Sequence, residues 1–191
     1  MRFDWPTTLP EQDMRDMITL MDSVAVREMT LGFVEPLGEE AGLALMRAFE
    51  DDLRRGALHL LTARADDGHV VGMVTLARAP LPARRHVVDL RRCVIHPAHR
   101  GQFLLEGFGH TVAKAAQMGC DLITLEVRDD GPLQLWERLG FTEYGRMPDY
   151  ARRDGRSVTG HFLCARRADL EAHFQRTGSW LHDIRTTVTA A

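Results

Sequence analysis

Three segments decide how the chain is read: Val94-Ile95-His96-Pro97-Ala98-His99-Arg100-Gly101, then Leu122-Ile123-Thr124-Leu125-Glu126-Val127, then Leu135-Trp136-Glu137-Arg138-Leu139-Gly140-Phe141. An aliphatic run closes at His96-Pro97, and after Arg100-Gly101 the residues Leu104, Phe108, Val112 and Ala115 recur at helical spacing. Strand, turn and helix in that order aim free backbone N–H groups and the positive end of a helix dipole at one point, which favours an anion such as a pyrophosphate. Strand-turn-helix with one glycine occurs in most α/β domains, so the signal gains weight only from what surrounds it.

Working outward, Pro10 to about Arg27 carries Met14, Met17, Ile18, Met21 and Val24 at helical steps, and a second helix runs from about Glu39 to Arg55 with Leu43, Met46, Phe49 and Leu53 on its buried side. Leu58–Ala65 and His69–Arg78 flank Asp66-Asp67-Gly68 and read as a β-hairpin. His86–Ile95 is a third strand, followed by the helix from Arg100 to Gly119. Asp121–Val127 is a short strand, Asp129-Asp130-Gly131-Pro132 a cap, and Leu133–Leu139 a short helix ended by Gly140. Phe141–Arg146 and Val158–Ala165 close the order as an antiparallel pair joined by a loop containing Pro148, Asp154 and Gly155. The predicted fold is α/β (α+β), a single domain with a mixed, mostly antiparallel sheet and about four helices in the order ααβββαβαββ, with an extra strand at Arg2–Trp5 as an option.

The 191 residues, 45% of them hydrophobic, fit one domain. Twenty-seven acidic against 24 basic residues give a net charge of −3, which offers no field for a phosphate backbone, so neither nucleic acid nor membrane is expected as a partner. Three cysteines in a chain of this length form no disulfide framework, and no apolar run approaches the roughly 18 residues of a membrane span. A cytoplasmic location is expected.

Taken together, the three segments resemble the GNAT superfamily of N-acetyltransferases. Leu31-Gly32-Phe33-Val34-Glu35-Pro36-Leu37, Gly145-Arg146-Met147-Pro148-Asp149-Tyr150-Ala151 and Asp154-Gly155 are similar to the branch that includes tabtoxin-resistance acetyltransferases, so the resemblance spans about Met14 to Leu170. It implies a domain over residues 1–170 followed by a C-terminal extension, 171–191, partly packed through Phe174, Trp180, Leu181 and Ile184 and disordered over Thr186–Ala191. It also implies acetyl-coenzyme A or another acyl-coenzyme A as cofactor. The residues that match the cofactor-binding pattern are Cys93, Val94, Ile95, Arg100, Gly101, Gln102, Phe103, Leu104, Leu105 and Trp136, with backbone N–H groups near Val94 and Ile95 polarising the thioester carbonyl.

This chain departs from the family pattern at two places. Phe103 and Leu105 stand where the phosphate turn has glycines, whose missing Cβ lets the backbone approach the phosphates, so Phe103 is expected to block or displace the pyrophosphate. In this register Gly107 and Gly109 fall inside the helix, which predicts an irregular helix start. Trp136 stands where the family commonly has a tyrosine that protonates the departing thiolate, and an indole N–H is no proton source at neutral pH; water or Tyr144 would have to substitute.

An acceptor ammonium must lose a proton before it attacks a thioester, which asks for a carboxylate. Asp89 and Glu126 match acidic positions of the branch and are the catalytic candidates. Strand alternation puts Asp89, Arg91, Cys93 and Ile95 on one face and Val88, Leu90, Arg92 and Val94 on the other; a surface pair of Asp89 with Arg91 or Arg92 is the plainer alternative. Glu126 counts as a candidate because a glutamate inside an apolar strand is rarely buried without a task, its alternative being a solvent-exposed side chain. Cys93, Cys120 and Cys164 read as small hydrophobes, His96 and His99 as turn residues with no metal site, and Met14, Met17 and Met21 as core or as a pocket wall. Pro148, Asp149 and Tyr150 lie in a tight loop or on an acceptor rim.

The leading reading is a coenzyme A-dependent N-acyltransferase, a monomer or homodimer, acting on a small-molecule amine such as an antibiotic, toxin or metabolite. Two others stay open: an enzyme of the same fold that has lost acetyl-coenzyme A and runs another acid/base reaction, and a non-catalytic small-molecule binder.

Overall fold

The computed structural model describes residues 1–28 and 35–176, without the side chains at 25–28, 101, 102 and 105. The stretch 31–34 and Trp180, Leu181, Ile184 and 186–191 of the extension lie outside the described residues.

Seven strands form one sheet in the order β1-β2-β3-β4-β5-β7-β6. They are β1 (Arg2–Asp4), β2 (Leu58–Arg64), β3 (Val70–Arg78), β4 (Val87–Ile95), β5 (Leu122–Arg128), β6 (Thr142–Arg153) and β7 (Arg156–Arg166). Five helices cover it: α1 (Glu11–Glu28), α2 (Gly38–Arg54), α3 (Arg100–Gln117), α4 (Leu133–Arg138) and α5 (Arg167–Arg176). Every neighbouring pair is antiparallel except β4 and β5, which are parallel because α3 carries the chain across between them. The mixed, mostly antiparallel single domain and the optional first strand are as the sequence predicts. Among the described residues no helix is long and apolar enough to cross a membrane.

The sheet has a core on each face. On one side Met14, Met17 and Met21 of α1 and Met46, Phe49 and Leu53 of α2 pack on β2 and β3, so those three methionines are core residues. Leu43 is only half-buried there. On the other side α3, α4 and α5 cover β2 to β5 and β7, with Phe103, Leu104, Phe108, Trp136, Leu163 and Leu170 inside. The expected domain limit at 170 falls within α5, and Phe174 packs on this core with its ring 5.4 Å from that of Phe108.

Three local expectations are corrected. Strands β6 and β7 form a long hairpin turned at Asp154-Gly155, and Pro148 lies in β6 rather than in a loop. Proline is tolerated there because β6 is the outermost strand, and the register shifts between Met147 and Ala151, where Asp149 has φ +54°. Asp129 and Asp130 do not cap α4: Asp129 Oδ2 accepts from the Thr159 amide at 3.3 Å, and Asp130 pairs with Arg128 and Arg153. Finally, α3 is continuous from Arg100 through both glycines, with no irregular start.

Candidate active site

The site begins where two strands part. The parallel ladder between β4 and β5 comprises Val87↔Leu122, Val88↔Ile123 and Asp89↔Thr124, after which β4 runs on to Ile95 and β5 to Arg128 as separate arms of a V. Asp89 sits at its apex. Its Oδ1 accepts a hydrogen bond from the Thr124 hydroxyl and its Oδ2 accepts from Arg91 Nη2 at 2.8 Å. The surface pair with Arg91 therefore exists, with Asp89 half-buried at the apex of the V and Arg91 exposed.

Alternation along β4 is broken by a bulge. Arg92 has φ +49°, in the left-handed region, and the register against β3 shifts between Met73 and Thr75. Val88 and Leu90 face the α3 side, whereas Val94 faces α1 and α2 and Arg92 lies over the Phe49 ring at 4.9 Å. Cys93 and Ile95 pack toward α3. The face predicted for Cys93 and Ile95 is thus inverted: they lie opposite Asp89, and Arg91 and Arg92 share its side. Burial pushes the Cys93 thiol up to about 12, which removes it as a nucleophile.

Glu126 follows Thr124 on the same face of β5, and it is exposed. The burial premise fails for it. Its Oε2 instead accepts from the Tyr150 hydroxyl at 2.6 Å, and that bond, with burial second, pushes the phenol up to about 12. Tyr150 stands edge-on to Phe162, 6.0 Å between ring centres, over Gly160, where any Cβ would meet the tyrosine ring at 2.5 Å. Tyr144, 60% exposed, lies 6.2 Å from the same phenylalanine. Partial burial raises its phenol, helped by Cys164, Glu126 and Asp89 and opposed by Arg84, so these groups share one field. Tyr150 therefore belongs to the rim of this face rather than to a loop.

On the α3 side Phe103 is 1% exposed. Its ring fills a slot between β3 and α3: a Cβ at Gly72 would meet it at 2.6 Å and one at Gly107 at 3.1 Å. Phe103 points into the core rather than into the turn before α3. Leu104 is buried beside it. Trp136 is also core, edge-on to Phe108 and Phe141 at 6.1 and 5.7 Å, and lines a small void of about 10 Å³ with Cys93, Phe103 and Leu104. At the turn itself Pro97–His99 form a short 3₁₀ turn in which His96 Nδ1 accepts from the Ala98 amide at 3.4 Å, and α3 then starts at Arg100.

On the Asp89 side a cavity of about 570 Å³ opens between α2, the start of β2, the end of β3 and β4. It went unseen in the sequence because its walls come from four separate segments.

The sheet is mostly antiparallel, splays at a single parallel pair, and has a helix N-terminus beside the splay and a carboxylate at its apex. The profile described as the Acetyltransferase (GNAT) family matches residues 25–141, and the chain belongs to that family. Among solved structures it is similar to a phosphinothricin acetyltransferase from Sinorhizobium meliloti in complex with acetyl-coenzyme A (17% identity, 87% of this chain and 89% of that one, TM-score 0.69). It is also similar to a spermidine N-acetyltransferase from Vibrio cholerae in complex with coenzyme A and spermine (17% identity, 88% and 97% covered, TM-score 0.70). A ribosomal-protein-alanine N-acetyltransferase from Brucella melitensis shares 16% identity over 87% and 99% of the two chains, with a TM-score of 0.70. At these identities the likeness is one of fold. No curated protein matches the chain.

Proposed function

We propose that the protein is a coenzyme A-dependent N-acyltransferase acting on a small-molecule amine, and that residues 1–170 carry the activity. The observation that carries this reading is the V between β4 and β5 with Asp89 at its apex. The residues fit the cofactor: with Phe103 turned into the slot formed by Gly72 and Gly107, its ring leaves the turn before α3 clear. Arg100, the backbone of Gly101 and Gln102, and the N–H groups at the start of α3 would hold the pyrophosphate. The arm of β4 from Cys93 to Ile95 would line the V beside the thioester. Acetyl-coenzyme A, when bound, supplies the acyl group as a thioester.

Within the site, Asp89 takes the proton from the acceptor's ammonium, directly or through one water, while Thr124 and Arg91 fix its carboxylate. Glu126, tied to Tyr150, sets the charge and shape of the acceptor rim rather than acting as a buried base. Trp136 serves packing, and Tyr144 holds a phenolic proton on the open face. The acceptor falls in the range of the tabtoxin-resistance branch on the strength of the motif at Gly145–Ala151, while the phosphinothricin acetyltransferase shares the fold.

The deciding experiment is calorimetric titration with acetyl-coenzyme A and coenzyme A. Binding is expected, weakened at least tenfold in Arg100→Glu; no heat at millimolar cofactor would sink the reading.

A further inference from the structure

The cavity beside Asp89 has an unusual charge for this chain. Its wall holds Arg78, Arg84, Arg91 and Arg92 against Asp52 and Asp89 alone, in a protein whose net charge is −3. Two of the four arginines are occupied. Arg91 is committed to Asp89, and Arg78 donates to the Met118 carbonyl. Arg92 differs: among the described residues its guanidinium has a ring contact with Phe49 and no carboxylate at hydrogen-bond distance. Burial disfavours its charge most, the charge of Arg91 adds to this, and the charge of Asp52 offsets them in part. The left-handed backbone at Arg92 brings a second guanidinium onto the face of Asp89, where a regular strand would have turned it away. Arg84, exposed on the short 3₁₀ turn Pro82–Arg84, also lines the cavity and has no hydrogen-bonded carboxylate among the described residues. Floor and walls between these charges are apolar, from Phe49, Leu58, Ala77 and Pro80. A volume of about 570 Å³ suits a molecule of amino-acid size.

We propose that this cavity is the acceptor pocket and that it selects amines carrying an oxyanion, such as a carboxylate or phosphate, which Arg92 and Arg84 bind while Asp89 faces the amine. The proposal rests on the acyltransferase reading for its chemistry but not for its binding site. A guanidinium held in a half-buried cavity makes charge-assisted, bidentate hydrogen bonds to an oxyanion, and an amine without one leaves that guanidinium unpaired.

The test uses matched pairs: L-phenylalanine with phenethylamine, L-methionine with 3-(methylthio)propylamine, and O-phosphoethanolamine with ethanolamine. Release of coenzyme A thiol gives kcat/KM for each, and thermal melting without cofactor gives binding. The oxyanion member of at least one pair is expected to exceed its partner by tenfold or more in kcat/KM and to raise Tm, with both differences shrinking in Arg92→Gln and Arg84→Gln. Arg84 lies on an exposed turn, so its variant answers even if Arg92→Gln is unstable. Which pair responds separates a carboxylate site from a phosphate site. Equal or better use of the oxyanion-free amine in every pair, a selectivity unchanged in the folded variants, or no Tm shift from any oxyanion member overturns the proposal. Failure of acetyl-coenzyme A to bind would sink the acyltransferase reading alone, because the melting measurement contains no cofactor.

Discussion

At the scale of single residues, Asp89, Arg92 and Phe103 shape the candidate site and the core beside it. Asp89→Asn removes the proposed proton acceptor while keeping the Thr124 contact, and kcat/KM is expected to fall by about 10²- to 10⁴-fold with acetyl-coenzyme A affinity unchanged by calorimetry. A loss under threefold would exclude Asp89 as the base. Phe103 makes a second, independent prediction. A methyl group at Gly72 would sit 2.6 Å from a ring that is 1% exposed, so Gly72→Ala is expected to cost about 1–3 kcal/mol in urea denaturation. Pairing it with Phe103→Leu should recover part of that loss, whereas strict additivity of the two would mean that the slot does not exist. The sequence revealed that Phe103 interrupts a glycine pattern, but not that its slot is made by Gly72, on β3, two elements earlier. Nor could Arg92 be foreseen as the bulge: left-handed φ is signalled by Gly or Asn, and the inverted face of Cys93 and Ile95 followed from that one angle.

Among the elements, helices and strands with clear periodicity were legible almost to their ends, because apolar spacing reports which face is buried. The length of β6 was not, since Pro148 signals a break in an inner strand and only the sheet order reveals an edge. One contact between elements carries a pH signature. Asp16 on α1 accepts from the Val70 amide at 3.0 Å and faces His69 Nδ1 at 3.1 Å, tying the helix to the β2–β3 turn. The hydrogen bond and the charge of Asp16 raise His69 above its ordinary 6.5. Partial burial pushes Asp16 upward, but the Val70, Gln12 and His69 contacts outweigh it and leave the carboxyl below 3.8. A raised histidine stabilises below 6.5 and ceases to as pH climbs through its folded value; a depressed carboxylate stabilises above 3.8 and ceases to as pH falls through its own. The pair therefore contributes most between about pH 4 and 6.5. Denaturation midpoints measured across pH 3–9 should show His69→Gln losing stability relative to the parent inside that window and converging with it above. A constant offset at every pH would rule out the ionic origin.

For the whole molecule, the family was legible because its motifs are local in sequence, while the cavity beside Asp89 was not, because it is assembled from segments that only the sheet brings together. Saturating cofactor should act on the entire fold: acetyl-coenzyme A at 100 times its Kd is expected to add about 2.7 kcal/mol to unfolding stability, read as a rise in Tm. The sheet order also divides the chain at one place. Strands β1 to β4 come from residues before Gly119 and strands β5 to β7 from residues after it, and the two sets meet through the short parallel ladder at the V. Asp89 thus belongs to one half of the polypeptide and Glu126 to the other. A backbone cut in the Met118–Gly119 turn would leave each half-sheet with its own hairpins intact, and activity should return only when the two fragments are mixed. The protein would then behave as a complementation pair, with its cleft as the seam.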